Sequence, residues 1–421
     1  MFGLIRQDRD LRVDFFRGLA LWIIFVNHIP GNWLGLVTPR NYVLADAAET
    51  FVLLAGYGAG LAYGRLMDRQ GWFFAVSRVL GRVFTLYVAH IFLLVVFTAQ
   101  VGYSADRLDA HVYLDELQLD PFAREPYRAL LEALLLRYQP SFLNILPLYI
   151  VLLAMFALAM PLLRRTWLML GASAALYVAT RTFDWDLPSW GGEGWFFNPL
   201  GWQLLFFIGC ALGYQPRGKG APLTVPYRRS LVALSLALLA VGVVATQLLY
   251  FRWDFAEQRL PAALARFLAG IDKAAMHPMR LGSMLALTYL AGHFIPRTAG
   301  WLYSRAAAPL VLMGQQALPV FCAGIALSFL GRVALEISDA WPMQLLVNLA
   351  GLALLVLLAA LTAWYGAEKH AARRSAAPPA AVAGPATAPV GGPVPAAGPA
   401  AAASPPGTAA ALPAVTHGDS G

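Results

Sequence analysis

Charge is scarce in this chain: 13% of its residues are Asp, Glu, Lys or Arg, while 59% are hydrophobic. So little charge excludes an ordinary soluble domain, and a mean hydropathy of +0.60 points to a polytopic membrane protein. Cysteine is nearly missing. Cys210 and Cys322 stand far apart in apolar segments, which excludes a disulfide framework. There is no metal-ligand spacing, no glycine-rich phosphate loop after a strand and no Gly-x-Ser-x-Gly elbow, so no metal is expected. No small-residue cleavage site closes the first apolar segment, which ends in Pro30-Gly31-Asn32, so no cleaved signal peptide is expected. No inverted repeat relates the two halves. The formal net charge of +8 does not indicate nucleic-acid binding, because the basic residues are placed for membrane topology.

Apolar runs long enough to span a bilayer are abundant. They recur about ten times, at roughly 14–32, 45–65, 80–102, 142–163, 167–182, 198–214, 230–250, 280–296, 307–330 and 342–366. Basic residues mark alternate connections: Arg6, Arg9 and Arg12; Arg65, Arg69 and Arg78; Arg164 and Arg165. The series continues with Arg217, Lys219, Arg228 and Arg229, then Arg297 and Arg305, then Lys369, Arg373 and Arg374. The intervening connections are acidic, with Asp106, Asp109, Asp115, Glu116 and Asp120, then Asp184, Asp186 and Glu193. The positive-inside rule then puts both termini in the cytoplasm. The expected fold is all-α, with about ten transmembrane helices over residues 1–370. Residues 371–421, rich in Ala and Pro without periodicity, are expected to form a disordered cytoplasmic tail.

Two outer connections are long. Residues 103–140 include an amphipathic stretch from Arg128 to Tyr138. Residues 183–197 hold Trp185, Trp190 and Trp195, which suit either an interfacial aromatic belt or stacking on sugar rings.

The first apolar segment carries the chemistry. It contains Asp14, Arg17 and His28, and ionisable groups at membrane depth are costly unless they face a polar cavity or a partner. At about 1.5 Å per residue, His28 lies roughly 16 Å beyond Arg17, three turns on and on the same helix face. A neutral imidazole there is suited to general base catalysis. Across a short hairpin, Glu49 is expected to orient it; the competing role for Asp46 and Glu49 is to cap the second helix. Arg78 and Arg82, four apart at the cytoplasmic edge of the third segment, would join Arg17 in a basic mouth or else contact anionic lipid. His90 lies on a similar face and reads as structural. His277 and Arg280, at the outer end of the eighth segment, are expected to touch an acceptor, with Asp14 and Asp46 as further substrate contacts.

Several stretches resemble a known family. The Arg17…His28 spacing, the acidic lead into Gly56 and the arginine-rich start of the third segment resemble the acyltransferase-3 type transmembrane acyltransferases. More closely, Asp10-Leu11-Arg12-Val13-Asp14-Phe15-Phe16-Arg17-Gly18, His28-Ile29-Pro30-Gly31-Asn32 and Leu146-Pro147-Leu148-Tyr149-Ile150-Val151 resemble the OpgC branch. So do Phe197-Asn198-Pro199-Leu200-Gly201-Trp202-Gln203-Leu204 and Leu318-Pro319-Val320-Phe321-Cys322. That branch is named for a protein that succinylates osmoregulated periplasmic glucans. Family members commonly have Ser-Gly where this chain has Ala55-Gly56, so a hydroxyl role there is absent.

The resemblance implies O-acyl transfer in the bacterial inner membrane, from cytoplasmic acyl-CoA (succinyl-CoA or acetyl-CoA) to a sugar hydroxyl of a periplasmic glycan. In that scheme His28 is general base or transient acyl carrier, Glu49 orients it, and Arg17, Arg78 and Arg82 hold the CoA phosphates. A proton-coupled transporter of an organic anion or sugar is the alternative, because intramembrane Arg, Glu and His also serve proton relays. A lipid flippase or a structural partner in glycan export ranks behind both. The acyl group, the acceptor and the oligomeric state are not legible in the sequence.

Overall fold

A computed structural model of the chain describes residues 2–6, 9–216 and 221–375. It is all-helical, with no strand among the described residues. Helices close their backbone hydrogen bonds within themselves, which a bilayer demands of any spanning segment. The first three are α1 (Leu11–Asn27), α2 (Ala47–Gln70) and α3 (Trp72–Leu108). Short helices α4 (Val112–Glu116), α5 (Asp120–Arg124) and α6 (Pro126–Leu134) follow. Then come α7 (Ile145–Ala159), α8 (Thr166–Phe183), α9 (Pro199–Gly213) and α10 (Arg229–Tyr250). After α11 (Trp253–Arg259) and α12 (Ala262–Ala269), α13 (Pro278–Phe294) returns. The described part closes with α14 (Ala308–Gln315), α15 (Ala317–Ile337) and α16 (Trp341–Ser375).

Each of the ten apolar segments is helical over most of its length. Five stretches are long and apolar enough to cross a membrane: Trp72–Leu108, Ile145–Phe183, Arg229–Leu249, Ala317–Ile337 and Trp341–Lys369. α1 falls short because it has 17 residues and includes Arg12, Asp14 and Arg17. Segment 307–330 is two helices, not one. Gln316, at φ −111° and ψ 41°, breaks it between α14 and α15. The amphipathic stretch expected to reach Tyr138 stops at Leu134, and Leu136 takes a positive φ of 61°. α16 continues to Ser375, past the expected boundary at 370. The chain divides into units 1–370 and 371–421; the expected disorder of the tail, and loop residues Arg217 and Lys219, lie outside the described residues.

Two close helix crossings form the frame around the site. α1 packs on α14 and α2 on α9. A Cβ added at Gly18 would sit 1.8 Å from the Leu310 carbonyl oxygen, and one at Gly314 would meet that of Asp14 at the same distance. At the second crossing, Gly56 and Gly60 face Phe206 and Cys210, while Gly209 and Gly213 face Leu53 and Tyr57. This is the small-xxx-small pattern by which membrane helices approach without bulky side chains between them. α2 starts on a capping box: Asp46 accepts from the Ala48 N–H at 2.8 Å, and Glu49 accepts from the Asp46 N–H at 3.1 Å.

Candidate active site

α1 ends at Asn27, and His28 is its C-cap, with its N–H returned to the Ile24 carbonyl. The imidazole projects into a cavity of about 810 Å³. The wall combines α1 and α2 with the connections between α6 and α7 and between α8 and α9, through Arg137, Phe142, Trp190 and Trp195. The His28 ring lies 4.2 Å from that of Phe142, and its Nδ1 is buried with no hydrogen-bond partner among the described residues. Nδ1 is sealed from the cavity, so an arriving hydroxyl or acyl group would meet the imidazole through its other nitrogen, Nε2, which is not among the buried unpaired atoms.

Glu49 does not orient His28. Its Oε1 accepts from Arg280 Nη2 at 2.6 Å and Nε at 2.8 Å, and its Oε2 serves the Asp46 N–H. Both oxygens are therefore engaged elsewhere, in the capping role that competed with pairing. Asp46 lines the cavity and holds Lys273 Nζ at 2.5 Å, with Arg280 Nη2 at 3.8 Å. The result is a charge-balanced cluster of two carboxylates and two cations, with Asp46 and Lys273 in the cavity wall and Glu49 and Arg280 behind it. Removing one member of such a cluster is costly, because its buried partner is left uncompensated.

Arg280 is 4% exposed and is not among the lining residues, so the expected acceptor contact gives way to a structural role. His277 is displaced in the same way: it caps α13, its Nδ1 accepting from the Met279 N–H at 3.2 Å. Burial pushes the His277 pKa below 6.5, with Arg181 and Arg280 adding to that effect.

A second cavity, of about 360 Å³, lies on the same side of α1 and receives Arg9, Arg17 and Arg82. Arg17 lines this cavity while its Nη2 donates to the Leu54 carbonyl at 3.0 Å and its Nη1 faces Asp14. Asp14 is buried and does not line either cavity. It holds Arg9 at 3.3 Å and Arg17 at 3.5 Å, and accepts from Gln315 at 3.0 Å. Asp14 thus places two cations from behind the cavity wall, where the sequence reading expected a substrate contact. Arg78, one turn before Arg82, is exposed outside the cavity, its guanidinium 5.3 Å from the Phe74 ring centre. His90 is fully buried, and neither ring nitrogen has a partner among the described residues.

The matching stretches recur in order along the folded part of the chain, and comparison with protein families matches residues 9–367 to the family described as OpgC protein. The chain belongs to the OpgC family. No curated protein and no solved structure matches it.

Four basic cavity residues of this OpgC-family chain were not singled out by the sequence reading as site residues: Arg9, Arg40, Arg137 and Lys273. Arg9 looked like one of several topology-setting arginines, and Arg137 one of many loop cations. Lys273 carried a weak signal, its rarity. The chain has only three lysines, although this one shares its connection with Arg252, Arg259 and Arg266, so charge alone did not distinguish it. Of the three tryptophans between α8 and α9, Trp190 and Trp195 line the His28 cavity, whereas Trp185 is 50% exposed and stacks on Phe183.

Proposed function

We propose that this protein is a membrane O-acyltransferase that moves an acyl group from acyl-CoA to a sugar hydroxyl of a periplasmic glycan. One observation carries the reading: two cavities on one side of α1, a basic one at Arg17 and a polar, aromatic one at His28. Membership of the OpgC family adds to it. The chain would cross the bacterial inner membrane about ten times with both termini inside, so that the Arg17 cavity faces the cytoplasm. Arg9, Arg17 and Arg82 supply forked donors for the phosphates of CoA. His28 takes the proton of the sugar hydroxyl as it attacks the thioester carbonyl, and thiolate leaves as CoA. If His28 instead carries the acyl group, the imidazole displaces CoA first and the hydroxyl then displaces the imidazole. Trp190 and Trp195 offer flat faces for sugar rings, and Asp46 and Lys273 offer an acceptor and a donor for hydroxyls.

Purified protein in detergent, given succinyl-CoA or acetyl-CoA, is expected to release free CoA. His28→Ala should reduce release by about 10²–10⁴-fold, the usual worth of a general acid–base group, while keeping its melting temperature. Normal release by folded His28→Ala protein would remove His28 from the reaction. Absence of both CoA release and CoA binding in the unmutated protein would move the reading to transport of an organic anion or sugar.

A further inference from the structure

The linings of the two cavities share one residue, Phe321. On either side of it the two linings abut. On α2, Ala48 faces the outer cavity and Phe51, one turn on, the inner; on α7 the neighbours Ile145 and Leu146 face one each. The wall between them is therefore no thicker than about one helical turn of 5.4 Å. Phe321 is 3% exposed, its ring centre 6.3 Å from that of Phe51, which lies 6.4 Å from Tyr149. Phe51 and Tyr149 both line the inner cavity, so the wall is an aromatic layer closed at one end by Phe321.

Phe321 is the member of that layer that borders both cavities. It sits near the start of α15, shortly after the break at Gln316, where two helices meet instead of one continuous span. An apolar ring in a thin wall blocks water and ions at rest, and a change of rotamer opens space without disturbing any hydrogen bond. Arg17 and His28 lie on one helix face on opposite sides of this wall.

We propose that Phe321 is the partition between the Arg17 cavity and the His28 cavity, and that its ring sets the size of the group that passes between them. The size-selecting role rests on the acyl-transfer reading above, with the thioester end of the donor reaching past Phe321 toward His28. The partition itself stands apart from it.

Two experiments separate these levels. In a Cys210→Ala, Cys322→Ala background, single cysteines at Ala48 and Ala55 report on the outer and inner cavities. With Phe321 intact, a small membrane-impermeant thiol reagent applied to cells should label one of the two. Phe321→Ala should expose the other from the same side. Labelling of both with Phe321 intact, or no change on Phe321→Ala, overturns the partition. If the chain lies the opposite way up, the two cysteines exchange roles and the test is unaffected.

The second experiment compares acetyl-, succinyl- and hexanoyl-CoA. Phe321→Ala should raise the relative kcat/KM for the longest acyl group by about tenfold or more, the scale on which pocket size discriminates methylenes. Phe321→Trp should suppress transfer of all three while leaving CoA binding at the inner cavity within about twofold. An unchanged acyl preference in both variants overturns the size-selecting role. Lack of transfer by the unmutated protein refutes that role too, along with the acyl-transfer reading, and leaves the labelling result to decide the partition.

Discussion

At the residue scale, an ionisable group in an apolar run is visible in sequence, but its partner is not. His28 and Arg17 stood out because an apolar helix has no reason to carry them unless they face something polar, and each lines a cavity. Glu49 was equally visible, yet its carboxylate went to Arg280, 231 positions away. Removing that cation leaves two buried carboxylates against Lys273 alone. Arg280→Met is therefore expected to destabilise the protein by about 3–5 kcal/mol, and adding Glu49→Gln should recover part of the loss. Thermal unfolding in detergent measures both. His277 offers a pH signature. Burial favours its neutral form, so the unfolded chain binds the proton more readily, and stability falls as pH drops through and below 6.5. Protonation also blocks the Nδ1 that caps α13. Melting temperature should decline from pH 7.5 to 5.5, and His277→Asn, which caps without titrating, should flatten that decline.

At the scale of elements, glycine decides which helices can touch. Gly56 lets α2 approach α9 until backbone meets backbone, and a Cβ there would stand 2.1 Å from the Phe206 carbonyl oxygen. Gly56→Ala should therefore abolish recovery of monodisperse protein, because neither backbone can withdraw without opening the wall beside the inner cavity. Gly102→Ala is the matched control: nothing lies within 4 Å of its Cβ position, and α3 should gain up to about 1 kcal/mol from the better helix former. Size-exclusion profiles and melting curves of the two variants test the contrast. The break at Gln316 belongs to this scale too. Hydropathy averages across residues 307–330 and reads one span, whereas the two helices meet at a kink that exposes Gln315 and Gln316 to the inner cavity.

For the molecule as a whole, the alternation of basic and acidic connections makes an orientation testable. Glu193, at the rim of the His28 cavity, and Arg165, in the connection before α8, should fall on opposite sides of the membrane. A cysteine at Glu193 is expected to react with an impermeant maleimide in intact cells, and one at Arg165 only after permeabilisation. The reverse pattern would invert the proposed topology and with it the placement of the CoA site.

What the sequence determined by itself follows from local rules. Apolar runs must be helical in a bilayer because no water can satisfy their backbones, so the all-α class, the positions of the helices and the oddity of Arg17 and His28 were legible in the chain. The tertiary structure decided everything that depends on residues distant in sequence meeting in space. It gave Glu49 to Arg280 and Asp14 to Arg9 and Arg17, brought Lys273 and Arg137 into the His28 cavity, and set Phe321 between two cavities. Those outcomes depend on how closely the helices pack, and that is set by glycines whose partners lie more than a hundred residues away.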